Sequence, residues 1–301
     1  MDETVKENSG VNIKSVCVLG GGHGLEASIK AALQISQDVT AVVGVADDGG
    51  SSGRLREVFG LIPPGDMRRC MTSFLPDGSP IKQMIEYRFR DGEFKDHALG
   101  NLIFLVALDV LGSTCKASEF MTELFQVPGR VLPTSEEPLT LCARLKGGRE
   151  IQGQVQVHLS RRIERVWVEP STPHVPQETV EAIRKADLVL LGPGSLFTSV
   201  LAAAIVPAVK QALLDTRGKV VFIGNLKQQP NETMGLTMMD QIEAVQCHGV
   251  RFDVVVLDSS MVSEVQSGIL KARFIFSDLA GLSGTSHDAT LLAKTLESVF
   301  I

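Results

Sequence analysis

Hydrophobic runs of two kinds alternate along the chain. Lys14 to Leu19 is short, apolar and rich in β-branched residues, and it ends in glycines. Leu25 to Leu33 carries helical spacing, and Val39 to Ala46 is a second continuous apolar run. Strand, glycine turn, helix and strand make a βαβ unit, which requires parallel pairing. Asp66 to Phe74 reads as a helix capped by Asp66. Ser79-Pro80 opens another, with Ser as N-cap and Pro at the first helical position. Ala98 to Leu111 reads as a buried helix, and Ser118 to Phe125 as a short one.

The middle of the chain differs. Arg130 to Pro170 lacks helical periodicity. Gln152, Gln154 and Gln156 alternate with Gly153, Val155 and Val157, the spacing of half-exposed strands, and Gly147-Gly148 suits a hairpin turn. Alternation then resumes. Helices are expected over Glu178–Lys185, about Thr198–Leu214, Met238–Cys247 and His287–Val299. Strands are expected over Asp187–Leu191, Lys219–Gly224, Asp253–Leu257 and Arg273–Phe276. The predicted fold is a single α/β domain over 1–301, a Rossmann-like doubly wound, mostly parallel sheet with a small antiparallel insertion at 130–170. In such sheets ligands bind at the carboxyl ends of the strands.

Composition narrows the function. The 301 residues carry a net charge of -6 with no basic block, so a nucleic-acid backbone is an unsuitable partner. The five cysteines are scattered and never form a C-x-x-C pair, which suits a reducing cytoplasm and no disulfide framework. Met1 to Gly10 is polar and acidic, without the apolar core of a secretion signal. The longest apolar run, Leu102 to Leu111, is interrupted by Asp109 and is too short for the roughly 20 residues a membrane span needs, so no membrane insertion is expected.

Four turns carry candidate chemistry. Gly20-Gly21-Gly22-His23-Gly24 follows a strand and precedes a helix, and Gly22-x-Gly24-x-x-Ala27 fits a dinucleotide fingerprint. Glycine lets the backbone approach a phosphate, and the helix start offers free N–H groups. A ligand-free tight turn would use the same glycines, and His23 at the tip suits either a ligand contact or a solvated loop. Asp47-Asp48-Gly49-Gly50-Ser51-Ser52-Gly53-Arg54 places paired carboxylates at a strand end, suited to a ribose diol or Mg²⁺, beside an arginine that can meet phosphate. Pro63-Pro64-Gly65-Asp66-Met67-Arg68-Arg69 puts two cations in the first turn of a helix, where the macrodipole opposes them unless an anion binds. Gly192-Pro193-Gly194-Ser195-Leu196-Phe197-Thr198-Ser199 repeats the first turn's logic in the second half. Asn101 suits a ligand contact or a helix-interior hydrogen bond. Asn225 has the stronger position, at a strand's carboxyl end. No Ser-His-Asp or metal-protease pattern stands out, so no catalytic residue is assigned.

Taken in order, the strings Gly20 to Leu25, Asp47 to Arg56, Pro64 to Arg68, Leu99-Gly100-Asn101 and Gly192 to Ser199 resemble the YvcK-type gluconeogenesis factors. That family shares a superfamily with 2-phospho-L-lactate transferase (CofD). The resemblance implies a bacterial, cytoplasmic protein with a Rossmann-like sheet that binds a UDP-sugar such as UDP-N-acetylglucosamine. It implies a role linking carbon metabolism to cell-wall precursor supply and cell shape. A regulatory protein partner in that synthesis and a homo-oligomer, a dimer, are the expected partners. His23 stands where many relatives carry Thr, and Ser286, before His287 and Asp288, where some carry a basic residue. Three functions stay open. One is a non-enzymatic sugar-nucleotide-binding regulator. The second is a Mg²⁺-dependent phospholactyl-type transferase, with Asp47, Asp48 and Asp66 on the metal. The third is an NAD-dependent oxidoreductase.

Overall fold

The first apolar run forms strand β1 (Ser15–Gly20) and the next apolar stripe forms α1 (Leu25–Ile35), which leads to β2 (Asp38–Val43). β1 and β2 pair in parallel register, Ser15 against Asp38 through Gly20 against Val43, as the βαβ pattern requires. The computed structural model describes residues 12–265 and 272–301. The polar segment Met1 to Gly10 lies outside the described residues, as does the side chain of His23.

The remaining helices of the first half are α2 (Gly50–Phe59), α3 (Pro64–Ser73), α4 (Pro80–Glu86), α5 (Leu99–Leu111) and α6 (Thr114–Leu124). Strands β3 (Arg130–Pro133), β4 (Thr140–Leu145) and β5 (Glu150–Gln152) follow, then α7 (Gln154–His158), β6 (Ile163–Glu169), α8 (Gln177–Lys185) and β7 (Leu188–Leu191). A π-helical turn at Leu196–Leu201 runs into the single turn α9 (Ala202–Ala204). The chain closes with α10 (Pro207–Asp215), β8 (Lys219–Ile223), α11 (Met238–Cys247), β9 (Val254–Asp258), β10 (Arg273–Ser277) and α12 (Ala289–Glu297).

Seven strands form one parallel sheet in the order β10-β9-β8-β7-β1-β2-β3, and β5-β4-β6 form a small antiparallel sheet. β1 sits in the middle, with β2 on one side and β7 on the other. The chain reverses its direction of growth between β1 and β7, which is the switch point where doubly wound sheets open a crevice. The central strands are buried on both faces, from Val18 and Leu19 to Leu188 through Leu191. That explains their unbroken apolar runs.

Several elements depart from the sequence pattern, each for a local reason. Asp66 does not cap α3: Pro63 holds the N-cap position, Pro64 starts the helix, and Asp66 lies inside the first turn. Arg130–Pro133 belongs to the main sheet beside β2, so the antiparallel excursion starts at Thr140. Gln154 and Gln156 lie on α7, because the left-handed Gly153 (φ +99°) ends β5 and turns the chain into a helix. The Gly147-Gly148 turn is found as expected, with both residues at positive φ and Gly148 N–H donating to Leu145 C=O at 2.9 Å. The helix expected over Thr198–Leu214 is bent by 73° between its halves. Pro207, which lacks an N–H to continue the earlier turns, starts α10 afresh.

α5 is not buried all round. Phe104, Leu105 and Leu108 enter the core, but Val106 and Val110 are 60% and 74% exposed. The helix has an apolar outer face that its sequence alone does not separate from its core face. Among the described residues no single helix is long and apolar enough to cross a membrane.

Candidate functional site

At the carboxyl ends of β1 and β7 the two glycine turns meet. Gly20 (φ +155°) accepts Gly44 N–H at its carbonyl, which ties the end of β1 to the end of β2. Gly24 lies against Gly194. A Cβ on Gly24 would fall 2.5 Å from Gly194 Cα and closer still to the Pro193 carbonyl oxygen. Only glycine permits that approach. Gly194 is held in turn by Asn225, whose Oδ1 accepts Gly194 N–H (3.1 Å) and whose Nδ2 donates to Gly194 C=O (2.8 Å). Asn225 therefore acts as a clamp on the turn, mimicking a paired strand. Ser28 Oγ donates to Gly192 C=O at 2.6 Å and locks α1 to the same turn.

Above these turns opens a cleft of about 1060 Å³. Of the residues expected from the sequence, Gly21, Gly22, Gly24, Asp47, Asp66, Pro193, Gly194, Ser195, Thr198, Ser199 and Asn225 line it. Gly20 and Gly192 sit just below, in the strand ends. Three more walls complete it, of which only the Ser286 segment is marked in the sequence, through the resemblance. One is the loop after β8, from Leu226 to Pro230. The second is the start of α12, with Ser286, His287 and Asp288. The third is α7, which supplies Gln154, Val155 and His158. The first two follow strands β8 and β10 at the same sheet edge, so their position in the alternation was the available signal. α7 carried none, because its sequence alternates like a strand.

The two glycine turns differ electrically. The start of α1 opens toward the cleft with no side chain capping Gly24. A 3-10 turn at Gly22–Gly24 leads straight into it, and the positive end of the helix faces the cleft with no side chain over it, which suits an anion. The helix start after Ser195 is already occupied. Glu232, with a fully buried side chain, faces the backbone N–H groups of Leu196 and Phe197, and Thr198 Oγ1 donates to it at 2.9 Å. Burial pushes the Glu232 carboxyl up, while Thr198, the nearby His158 and those N–H groups pull the other way. The second turn is therefore not a second free anion site.

The paired aspartates also separate. Asp47 stays at the cleft and accepts Gly49 N–H at 3.0 Å. Asp48 turns away and accepts Val155 N–H at 2.9 Å, capping α7 and pinning the antiparallel excursion to the end of β2. Asp66 takes the place beside Asp47. Burial, and then the Asp47 charge, push the Asp66 carboxyl up to about 6, against the pull of Arg69. Arg69 Nη1 donates to Asp66 Oδ1 at 2.7 Å, and its buried Nε has no acceptor. Among the described residues no three His, Cys, Asp or Glu side chains cluster as metal ligands. The carboxylate pair facing the cleft is Asp47 with Asp66, in place of the expected Asp47 with Asp48.

A further group of expected residues lies outside the cleft. Gly49 and Gly50 form the turn into α2, and Gly50 (φ +51°) needs its glycine conformation there. Ser52 Oγ packs where a Cβ on Gly65 would sit. Arg54 donates to Lys95 C=O (3.2 Å). Arg68 Nε donates to Asn101 Oδ1 (2.9 Å), Asn101 Nδ2 to Ser51 Oγ (3.1 Å), and Ser51 Oγ lies 2.9 Å from His97 Nδ1. None of these residues lines the cleft, although Gly49 and Ser52 border it through Asp47 and Val155.

A parallel doubly wound sheet with a glycine-floored cleft at its switch point defines a Rossmann-like α/β class of protein. Within it, residues 16–280 match the family described as 2-phospho-L-lactate transferase CofD, and the chain belongs to that family. It is similar to proteins named "Putative gluconeogenesis factor". The one from Clostridium acetobutylicum is 37% identical over 258 residues, covering 83% of this chain and 57% of that protein. The one from Aquifex aeolicus is 33% identical over 267 residues, covering 85% and 80%. The chain thus spans little more than half the length of the Clostridium relative. A crystal structure of a Bacillus halodurans member of the UPF0052 family aligns with a TM-score of 0.87 at 30% identity, over 95% of this chain and 99% of that one.

Proposed function

We propose that the cleft binds a sugar nucleotide of the UDP-N-acetylglucosamine type, and that the protein is a cytoplasmic regulator coupling carbon metabolism to cell-wall precursor supply. The observation that carries this reading is the uncapped start of α1 over Gly21 to Gly24, beside the Gly194 turn. It offers a diphosphate a close backbone approach at the glycines and the positive end of a helix. The cleft volume of about 1060 Å³ exceeds what one phosphate needs and accommodates a nucleotide with its sugar. The polar loop Lys227 to Gln229 and the Ser286-His287 segment give the base and sugar hydrogen-bonding partners. His287 Nε2 donates to Gly224 C=O (3.1 Å), and burial lowers its pKa, so it stays neutral. Titration calorimetry with UDP-N-acetylglucosamine tests the reading. Absence of heat at millimolar ligand sinks it.

One observation favours a second reading, a Mg²⁺-dependent transferase of the phospholactyl type. Mg²⁺ is commonly held by one or two carboxylates together with substrate phosphates. Asp47 and Asp66 are such a pair, at the edge of the anion-binding turn. They would hold the ion, which would neutralise charge on a transferring diphosphate. In that reading Arg69 steadies Asp66. Mn²⁺ titration followed by electron paramagnetic resonance checks it: Asp47→Asn should abolish ligand-dependent Mn²⁺ binding, and unchanged binding removes the transferase from consideration.

A further inference from the structure

Glu232 is 1% exposed, and four donors converge on its two carboxyl oxygens. Thr198 Oγ1 donates to Oε2 at 2.9 Å. The Gln229 amide, oriented by its neighbours, donates to Oε1 at 2.8 Å and accepts Ser195 N–H at 3.2 Å. The backbone N–H groups of Leu196 and Phe197 complete the set. Backbone and amide N–H groups can only donate, so both oxygens must accept, which is the pattern of a carboxylate. An internal anion therefore stands where a helix start would otherwise draw one from a ligand.

The carboxylate is held in place from both sides. Gln229 N–H donates to the buried Thr233 Oγ1 at 2.8 Å, which closes the loop around it. Gln154 Nε2 donates to Thr198 C=O at 2.8 Å and fixes the wall from α7. The wall backed by Glu232 consists of Gln154, His158, Ser195, Thr198 and Gln229, all of which line the cleft. His158 Nδ1 stands 3.7 Å from Glu232 Oε2. Amide, hydroxyl and imidazole groups match the hydroxyls of a sugar. Among the described residues no Phe, Tyr or Trp lines the cleft to stack a base there.

We propose that Glu232 sets the ligand class of the cleft: nucleoside diphosphate sugars with an uncharged sugar are admitted, and those whose sugar carries a carboxylate are rejected. The proposal rests on the sugar-nucleotide reading of the cleft. In this arrangement the diphosphate lies over the start of α1, and the sugar lies against the wall that Glu232 backs. A sugar carboxylate there meets a like charge that burial leaves poorly screened. It also finds the donors of the second helix start already taken. A neutral sugar meets neither obstacle. Selection against the acid comes from repulsion and an unpaired charge, not from shape. Glu232 acts through the wall, which makes it a positioning residue and not a ligand contact.

UDP-glucose and UDP-glucuronate differ at one carbon, a hydroxymethyl group against a carboxylate, and calorimetry on the whole protein compares them. Wild type is expected to bind UDP-glucuronate more weakly by at least about tenfold. Glu232→Gln is expected to shrink that ratio to about threefold or less, whatever happens to the UDP-glucose affinity itself. A purely structural role would lower both affinities and keep the ratio. Similar affinities in wild type, or a ratio unchanged in Glu232→Gln, overturn the proposal and leave the sugar-nucleotide reading standing. Binding of neither compound overturns that reading, and the proposal with it. Should Glu232→Gln fail to fold, the methyl ester of UDP-glucuronate on the wild type replaces it. The ester keeps the bulk and loses the charge, so it must bind more tightly than the acid by about tenfold. An ester as weak as the acid rejects the proposal.

Discussion

Replacing Gly24 by alanine sets two effects of opposite sign against each other. Gly24 has φ -63° and ψ -31°, ordinary helical geometry. At such a site Gly→Ala normally stabilises by about 0.4–1 kcal/mol, because the unfolded chain loses freedom. Here the added Cβ would sit 2.5 Å from Gly194 Cα and 3.0 Å from Gly194 N. Carbon atoms pack comfortably at roughly 3.5–4.0 Å, so the two turns must part by about 1 Å. Neither side yields easily. Gly194 is clamped by Asn225 on both its N–H and C=O, and α1 is tied to Gly192 by Ser28. Overpacking of this kind costs about 1–3 kcal/mol, which outweighs the entropic gain. Urea denaturation should therefore show Gly24→Ala less stable by about 1–2 kcal/mol. A 1 Å parting of the cleft floor should also weaken UDP-N-acetylglucosamine binding at least tenfold by calorimetry. A variant as stable as the wild type, or more so, would refute the close contact between the turns and the shared floor built on it.

Two further outcomes follow from the same structure. Asp66 has a folded pKa of about 6, above its ordinary 3.8, so its contribution to stability is present below pH 4 and lost as pH rises through 6. Asp66→Asn removes that loss. The stability of the variant minus that of wild type, from urea melts, should climb by on the order of 1–3 kcal/mol between pH 4 and 6.5, and a flat difference contradicts the raised pKa. On α5, Val110→Lys should change stability by less than about 0.5 kcal/mol, while Leu108→Ala should cost about 2–5 kcal/mol. Equal costs at the two positions in thermal melts would show that the helix is buried all round.

Periodicity carried most of the sheet. β-branched runs bounded by glycine gave β1, β2, β7, β8, β9 and β10 to within a residue or two at most ends, because a strand buried on both faces has no other pattern to show. Helix ends were harder. α2 was missed since Gly50, Ser51, Ser52 and Gly53 are poor helix formers, and only tertiary contacts such as Arg56 on Leu139 C=O (2.7 Å) hold it. α7 reads as a strand for the reason that five residues barely distinguish the two periods. At the site, residues next to glycine were legible because glycine marks close backbone approach. Glu232, Gln229 and His158 were not, since nothing local in their segments shows that they fold against Ser195 and Thr198. The same blindness applied to Asp47 and Asp48, adjacent in the chain and sent to different tasks.

The internal carboxylate of Glu232 gives the cleft a direction. Two turns that look interchangeable in the sequence present unlike ends, one with no side chain over it and one already satisfied from within. A ligand with a charged end and an uncharged end therefore has a preferred way round, with the charge over α1 and the neutral part toward Ser195. Orientation is set before any contact that reads the ligand's identity. A substitution that empties the second end, such as Glu232→Ala, would blur polarity first and affinity only afterwards.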